Sequence, residues 1–205
     1  FSMPFVTLYG HYYGPEFNRL EFAEGAWRQV LKIGVDNPSY SIRPVFNLRI
    51  DHEQNGRELS QVVLAIGGVV SWRTYPYWED VIRETAKLAP NINWILLGSA
   101  NGQRVAEQIV NSLYEQCSIV NNVDSMSLDE VFQTLKNASL LVAADGGLLH
   151  VGRAAEVPII GLFAGDIHPR MRFASNDLAH VIHAETDVAN IDPEIVASSI
   201  NKFFR

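Results

Sequence analysis

One segment of the chain has residue types suited to a phosphate group. In LLVAADGGLLH, residues 140–150, an apolar run ends in an acid and two glycines where a helical pattern begins. Helix N-termini offer free N–H groups and a partial positive charge, and glycines let an anion approach the backbone. Asp145 would repel a phosphate directly, so we expect the phosphate at Gly146 and Gly147. The carboxylate would then cap the helix or bind a sugar or ribose hydroxyl.

His150 follows about one helical turn later, where it could lie near the ligand or be an ordinary, partly buried histidine. An Asp-Gly-Gly between a strand and a helix is also consistent with a simple cap and tight turn. The segment has neither the Gly-Lys-Ser/Thr of a Walker loop nor the spaced glycines of a dinucleotide fingerprint.

Other apolar runs end in a similar way. VVLAIGG ends in Gly67 and Gly68, and Arg73 follows in the loop before the next helix. A guanidinium there suits a diphosphate, although a surface arginine is an equal alternative. Two later loops supply further candidates. Ser99, Asn101 and Gln103 in GSANGQR fit either a capped loop or a ribose site. The loop FAGDIHPRMRF adds polar residues at the rim of a ligand site: Asp166, His168, Arg170 and Arg172.

Together these strand ends predict a groove for a phosphorylated ligand, because several polar loops at one rim of a sheet mark a site better than one loop does. The acids and histidines lack the spacing of metal ligands, and Asp166 with His168 is too small a set. We therefore expect neither a metal nor a separate cofactor.

The elements that would position these loops alternate regularly after residue 61. Six apolar runs, rich in β-branched residues, are predicted strands: 62–66, 93–97, 118–121, 140–143, 159–163 and 180–183. Segments with helical spacing lie between most of them; in the first, Trp78, Val81, Ile82, Thr85 and Leu88 share one face. Ser127 with Glu130 forms a capping-box pattern, and Asp192 with Pro193 begins the last helix. The pattern predicts an α/β fold with a doubly wound, Rossmann-like parallel sheet over residues 61–205.

Residues 1–60 do not continue this alternation, and we expect a helical and irregular connector packed onto the main domain. The formal net charge of −7, without a Lys/Arg cluster, argues against a nucleic-acid partner. No apolar segment approaches the roughly 20 residues that a membrane span needs. A single cysteine fits a reducing compartment, so we expect a cytosolic protein.

At these residues the sequence resembles the carboxy-terminal domain of glycosyltransferase family 9, the heptosyltransferase-like enzymes that build lipopolysaccharide core. AADGGLLHVGRAAEVPIIGLFAG is similar to the family's Asp-Ser/Thr-Gly-x-x-His segment and the strand after it. RTYPYWEDVI is similar to its Lys-x-Trp-Pro segment, with Arg73 in the place of the lysine. The resemblance runs in order over roughly residues 61–175.

The resemblance implies one half of a GT-B architecture, the half that holds a nucleotide-diphosphate sugar, with ADP-heptose as the family's usual donor. It implies that Asp145 and Arg73 act in catalysis, and that Gly146, Gly147 and His150 lie at the donor's diphosphate and sugar. Met126 falls where the family packs the base, although an apolar plug at the start of a helix is an equal alternative. The ribose-binding residue is often acidic in the family, whereas this loop has Asn101, Gly102 and Gln103.

The function expected from this resemblance is an inverting, metal-independent transfer of a sugar to a glycan or lipid-linked acceptor. The family's acceptor site and catalytic base lie in another Rossmann-like domain, which residues 1–60 are too few to form, so we expect mainly the donor-binding half. A cytoplasmic enzyme at the inner face of the bacterial inner membrane is implied, with peripheral membrane association left open. Two alternatives remain open: a non-catalytic nucleotide-sugar-binding module and a nucleotide-sugar epimerase of GT-B shape.

Overall fold

The computed structural model describes residues 61–165, 167, 169, 172–173 and 178–204. The connector expected over residues 1–60 lies outside the described residues, as do the candidates Asp166 and His168 and the nearby Arg170. The domain boundary at residue 60 therefore stays a prediction.

The described strands form one six-stranded sheet in which all neighbouring strands are parallel. Its spatial order is β3-β2-β1-β4-β5-β6. The strands are β1 Gln61–Ala65, β2 Asn93–Gly98, β3 Ser118–Val123, β4 Leu140–Ala144, β5 Ile159–Ala164 and β6 Ala179–Ala184. The six predicted strands and the doubly wound α/β class are confirmed.

Helices alternate with these strands and cover the sheet. They are α1 Trp78–Ala86, α2 Gln103–Leu113, α3 Leu128–Asn137, α4 Gly147–Ala154 and α5 Pro193–Phe203. Residues of α1, α2 and α5 share one buried cluster with Val62 and Leu64 of β1. Since strand side chains alternate between faces, Val63 points to the opposite face. On that side α4 packs closely, because a Cβ at Gly152 would lie 2.3 Å from Leu141 Cδ2.

Two predicted helix starts are confirmed by their hydrogen bonds. The Ser127 hydroxyl accepts a hydrogen bond from the amide of Glu130, and the Glu130 carboxylate accepts one from the amide of Ser127. The two bonds complete the capping box. Asp192 accepts the amide of Glu194 at 2.8 Å, with Pro193 as the first helical residue. These bonds satisfy amides that the helices themselves leave without partners.

The prediction that Leu88 lies on the buried face of its helix is wrong. Trp78, Val81, Ile82 and Thr85 are buried, but Leu88 is 65% exposed. The helix ends at Ala86, so the chain has left the helical path before it reaches Leu88. Within the described residues, every helix is too short or too polar to cross a lipid bilayer.

The described strands and helices all belong to one of the two compact units into which the chain divides, and Ile167–Asn176 is assigned to the other. In the described part of that segment, the amides of Arg172 and Phe173 both donate to the carbonyl of Pro169 at 2.9 Å.

The sheet has a topological switch point between β1 and β4. From β1 the chain proceeds outwards through β2 to β3, and it then returns to the other side of β1 with β4. In open α/β sheets, ligands bind beyond the carboxyl ends of the strands at such a point. The loop after β1 contains Gly67, Gly68 and Arg73, and the segment after β4 contains Asp145 with its two glycines. The fold therefore brings the two main candidate groups to one place.

The close packing of the β1 and β2 ends predicts the effect of Gly98→Ala. The added Cβ would lie 2.3 Å from the carbonyl oxygen of Ile66, whose own amide is bonded to Leu97. We expect the substitution to lower the free energy of unfolding by about 1–3 kcal/mol, because the backbone must shift. Urea unfolding measures this; Ser198→Ala, on the exposed side of α5, serves as the control.

Candidate functional site

An ion pair spans the switch point. Arg73 Nη1 donates to Asp145 Oδ2 at 3.0 Å, joining residues that are 72 positions apart in the chain. The Asp145 side chain is 3% exposed and the Arg73 side chain is 30% exposed. A buried carboxylate loses its hydration, and a guanidinium partner compensates for this loss. The pair therefore fixes the loop after β1 to the end of β4.

Arg73 lies at the end of a short 3₁₀ turn, Ser71–Arg73. The amide of Arg73 donates to the carbonyl of Val70 at 3.0 Å, which closes the turn. The guanidinium carbon is 5.1 Å from the centroid of the Trp72 ring, within the range of a cation–π contact. Its Nε is buried and has no hydrogen-bond partner among the described residues, so the guanidinium retains a donor beyond the one given to Asp145.

The glycines after β1 are required by the packing of the protein itself. Gly67 has a φ of +90°, and a Cβ there would lie 2.8 Å from Asn101 Oδ1. A Cβ at Gly68 would lie 2.3 Å from Thr74 Oγ1. These two positions lack space for a side chain whether or not a ligand binds near them.

The glycines that begin α4 have the opposite surroundings. Nothing lies within 4 Å of a Cβ built at Gly147, and a Cβ at Gly146 would be 3.8 Å from the carbonyl oxygen of Ala144. Both residues are exposed, and the capping residue Gly146 contributes no side chain to the helix. Neighbouring protein atoms thus give no reason for glycine here, while the absence of a Cβ leaves the backbone open to an anion. His150 lies on the first turn of the same helix and is half-buried.

Two of the three polar side chains predicted for a ribose, Ser99 and Asn101, form hydrogen bonds within the protein. Ser99 Oγ donates to Asn101 Oδ1 at 2.9 Å, and Asn101 Nδ2 donates to the carbonyl of Gly68 at 2.8 Å. Gln103 is exposed as the first residue of α2. These residues follow β2 and lie beside the β1 loop.

Met126 follows β3, beyond β2 from the switch point. It is half-buried, and the Thr134 hydroxyl donates to its sulfur at 3.7 Å. The structure therefore brings Arg73, Asp145, Gly146 and Gly147 into one group, with Ser99 and Asn101 joined to the β1 loop, and places Met126 against the start of α3. The role of each remains a prediction.

Sequence reasoning missed Trp72 and Thr74, the two residues that flank Arg73. Thr74 Oγ1 donates to the carbonyl of Val70 at 2.9 Å, so the threonine reinforces the turn that presents the arginine. Their positions next to Arg73 in SWRTYP were the available signal.

No group of three or more His, Cys, Asp or Glu side chains lies close enough to hold a metal ion within the part of the chain that the structure describes.

Comparison with known proteins identifies one family. The profile of glycosyltransferase family 9 (heptosyltransferase) matches residues 36–194. Lipooligosaccharide heptosyltransferase 2 of Haemophilus influenzae is 32% identical over 89 residues, which cover 42% of this chain and 25% of that protein.

Solved structures of similar fold include two Escherichia coli enzymes. The heptosyltransferase WaaC with ADP has a TM-score of 0.60 at 19% identity over 73% of this chain and 46% of its own. ADP-heptose LPS heptosyltransferase II has a TM-score of 0.59 at 19% identity, covering 74% of this chain and 47% of its own. The chain thus spans less than half the length of these relatives, and the likeness supports one Rossmann-like half of a GT-B fold.

The Arg73–Asp145 pair predicts energetic coupling that can be measured in a double-mutant cycle. We expect Arg73→Ala and Asp145→Ala each to lower the free energy of unfolding, and the double variant to lose less than their sum by about 1 kcal/mol or more. The Arg83–Glu79 pair, at 2.8 Å with both side chains more than a third exposed, is the control, and its coupling should be only about 0.3–0.5 kcal/mol. Equal coupling in the two pairs would contradict this picture of the site.

Proposed function

The chain belongs to glycosyltransferase family 9, and we propose on this basis that its sheet binds a nucleoside-diphosphate sugar for glycosyl transfer. The observation that carries the proposal is the placement of Arg73 beside the open glycines of α4 at the switch point of the sheet. A diphosphate needs positive charge and hydrogen-bond donors, which a guanidinium and N-terminal helix amides both provide.

In the proposed reaction, a hydroxyl of the acceptor attacks the anomeric carbon of the donor sugar. The bond from that carbon to the diphosphate oxygen breaks, and the nucleoside diphosphate leaves with the electron pair. Arg73 and the amides of Gly146 and Gly147 would stabilise the charge that develops on the leaving group. Attack from the opposite side inverts the anomeric carbon, and the chemistry needs no metal ion.

The acceptor hydroxyl must also lose a proton to a base. We propose that this base comes from outside the described residues, because Asp145 at the centre of the site is almost fully buried and paired with Arg73. Asp145 would then serve to orient the guanidinium, which remains 30% exposed.

Family membership and the names of the relatives support ADP-heptose as the donor and a lipooligosaccharide-type glycan as the acceptor. The proposal extends to a bacterial enzyme in the cytoplasm that works at the inner face of the inner membrane, where a lipid-linked acceptor would be available.

The first test is calorimetric titration of the 205-residue chain with ADP, UDP and GDP. We expect saturable binding that is tightest for ADP. Gly147→Ala should weaken ADP binding by about tenfold, or about 1.4 kcal/mol, because its Cβ would occupy the side from which a phosphate approaches. The same substitution should leave the free energy of unfolding unchanged or slightly higher, since alanine favours a helix more than glycine does.

Ser198→Ala, on the exposed side of α5, is the control for this titration and should bind ADP as the wild type does. Equal ADP affinity in wild type and Gly147→Ala would remove the α4 amides from the proposal. Absence of binding by all three nucleotides would contradict the proposed donor site.

Substitution of Arg73 tests the second part of the site. We expect Arg73→Ala to weaken ADP binding by about tenfold or more, because a charge-assisted hydrogen bond contributes about 1.5–3 kcal/mol. Arg73→Lys should retain only part of the affinity, since an ammonium keeps the charge but lacks the planar fork that can donate to Asp145 and phosphate together. The same titration measures both variants; full affinity in Arg73→Ala would exclude a direct contact with the diphosphate.

A further inference from the structure

The side chain of Asn101 uses both ends of its amide within the protein. Its Nδ2 donates to the carbonyl of Gly68 at 2.8 Å, and its Oδ1 accepts the hydroxyl of Ser99 at 2.9 Å. The same Oδ1 lies where a Cβ of Gly67 would approach to 2.8 Å. Asn101 therefore fastens the loop after β2 to the loop after β1.

The contacts continue from Gly68 to Arg73. The Cα of Gly68 faces Thr74, whose Oγ1 would lie 2.3 Å from a Cβ on that glycine. Thr74 Oγ1 and the amide of Arg73 both donate to the carbonyl of Val70, at 2.9 and 3.0 Å. A shift of Gly68 must consequently displace the turn that carries Arg73.

We infer that Asn101 is a positioning residue for Arg73, acting through Gly68 and Thr74, and that it does not bind the ribose of the donor. This inference rests on the proposed nucleoside-diphosphate site and specifies how one part of that site is held. It replaces a ligand contact by an intramolecular one, because the bonds to Gly68 and Ser99 hold the amide in place and use one of its two N–H groups and one of its two acceptor positions.

The two roles differ in which ligands they affect. A residue that acts through Arg73 influences every ligand with a diphosphate, including inorganic pyrophosphate, which has no ribose. A residue that bonds the ribose influences ADP and leaves pyrophosphate unchanged. Comparison of the two ligands therefore separates positioning from direct contact.

The experiment titrates ADP and pyrophosphate into the wild-type chain and into Asn101→Ala and Asn101→Asp. We expect Asn101→Ala to weaken both ligands by a similar factor of about fivefold, the worth of one net hydrogen bond. Asn101→Asp should be as weak or weaker, because a carboxylate cannot donate to the Gly68 carbonyl and would repel it. Circular dichroism and the urea midpoint show that each variant is folded.

Two further variants complete the design. Asn101→Ala should cause no additional loss of pyrophosphate affinity in an Arg73→Ala background, because the residue it positions is then absent. Gln108→Ala, which removes an exposed side-chain amide on α2, is the matched control and should bind both ligands as the wild type does.

A loss of ADP affinity with pyrophosphate affinity intact would overturn the inference, as would an Asn101→Asp variant that binds ADP as well as or better than the wild type. Either result would leave the proposed donor site standing. A wild-type chain that binds neither ligand would overturn the proposed function, and this inference with it.

Discussion

The burial of the Asp145 carboxylate is the constraint on which the rest of the site depends. A carboxylate that is 3% exposed requires compensation, and Arg73 supplies part of it from the loop after β1. The requirement determines where that loop can lie, because the guanidinium must reach the end of β4. It also keeps the guanidinium at the switch point of the sheet, so the proposed diphosphate would require little reorganisation of it.

The glycines around this pair differ in what they do. Gly67 and Gly68 allow the β1 loop to contact Asn101 and Thr74 closely, and a side chain at either position would collide with them. Gly146 and Gly147 have open space instead, where protein packing would accept alanine. The first two thus build the support of the site, and the second two leave the helix backbone accessible. A glycine-rich pattern in a sequence does not by itself distinguish these uses.

The sequence was sufficient for the strands of the sheet and for the loops that follow them. Buried parallel strands are continuous apolar runs, and caps such as Ser127 with Glu130 depend only on residues three positions apart, so both could be read locally. The partner of Asp145 could not be predicted locally. Arg73 is 72 positions away, and the strand order of the sheet is what brings the two residues together. The prediction that Leu88 is buried was wrong for a local reason: its spacing fits the helix, but the helix ends two residues earlier at Ala86. Asn101 was recognised as polar and well placed, but the sequence does not reveal that its amide bonds to Gly68.

The charge balance of the pair limits what Arg73 alone can contribute to diphosphate binding. Because Asp145 already offsets the guanidinium, the pair presents little net charge to an incoming dianion. In the proposed site, the attraction must then come in part from oriented donors: the amides at the start of α4 and the part of the Arg73 side chain that remains exposed. This division of roles would allow an acid to lie beside the proposed phosphate site. It also makes the orientation of Arg73 more important than its charge, and orientation is what the contacts from Asn101 through Gly68 and Thr74 determine.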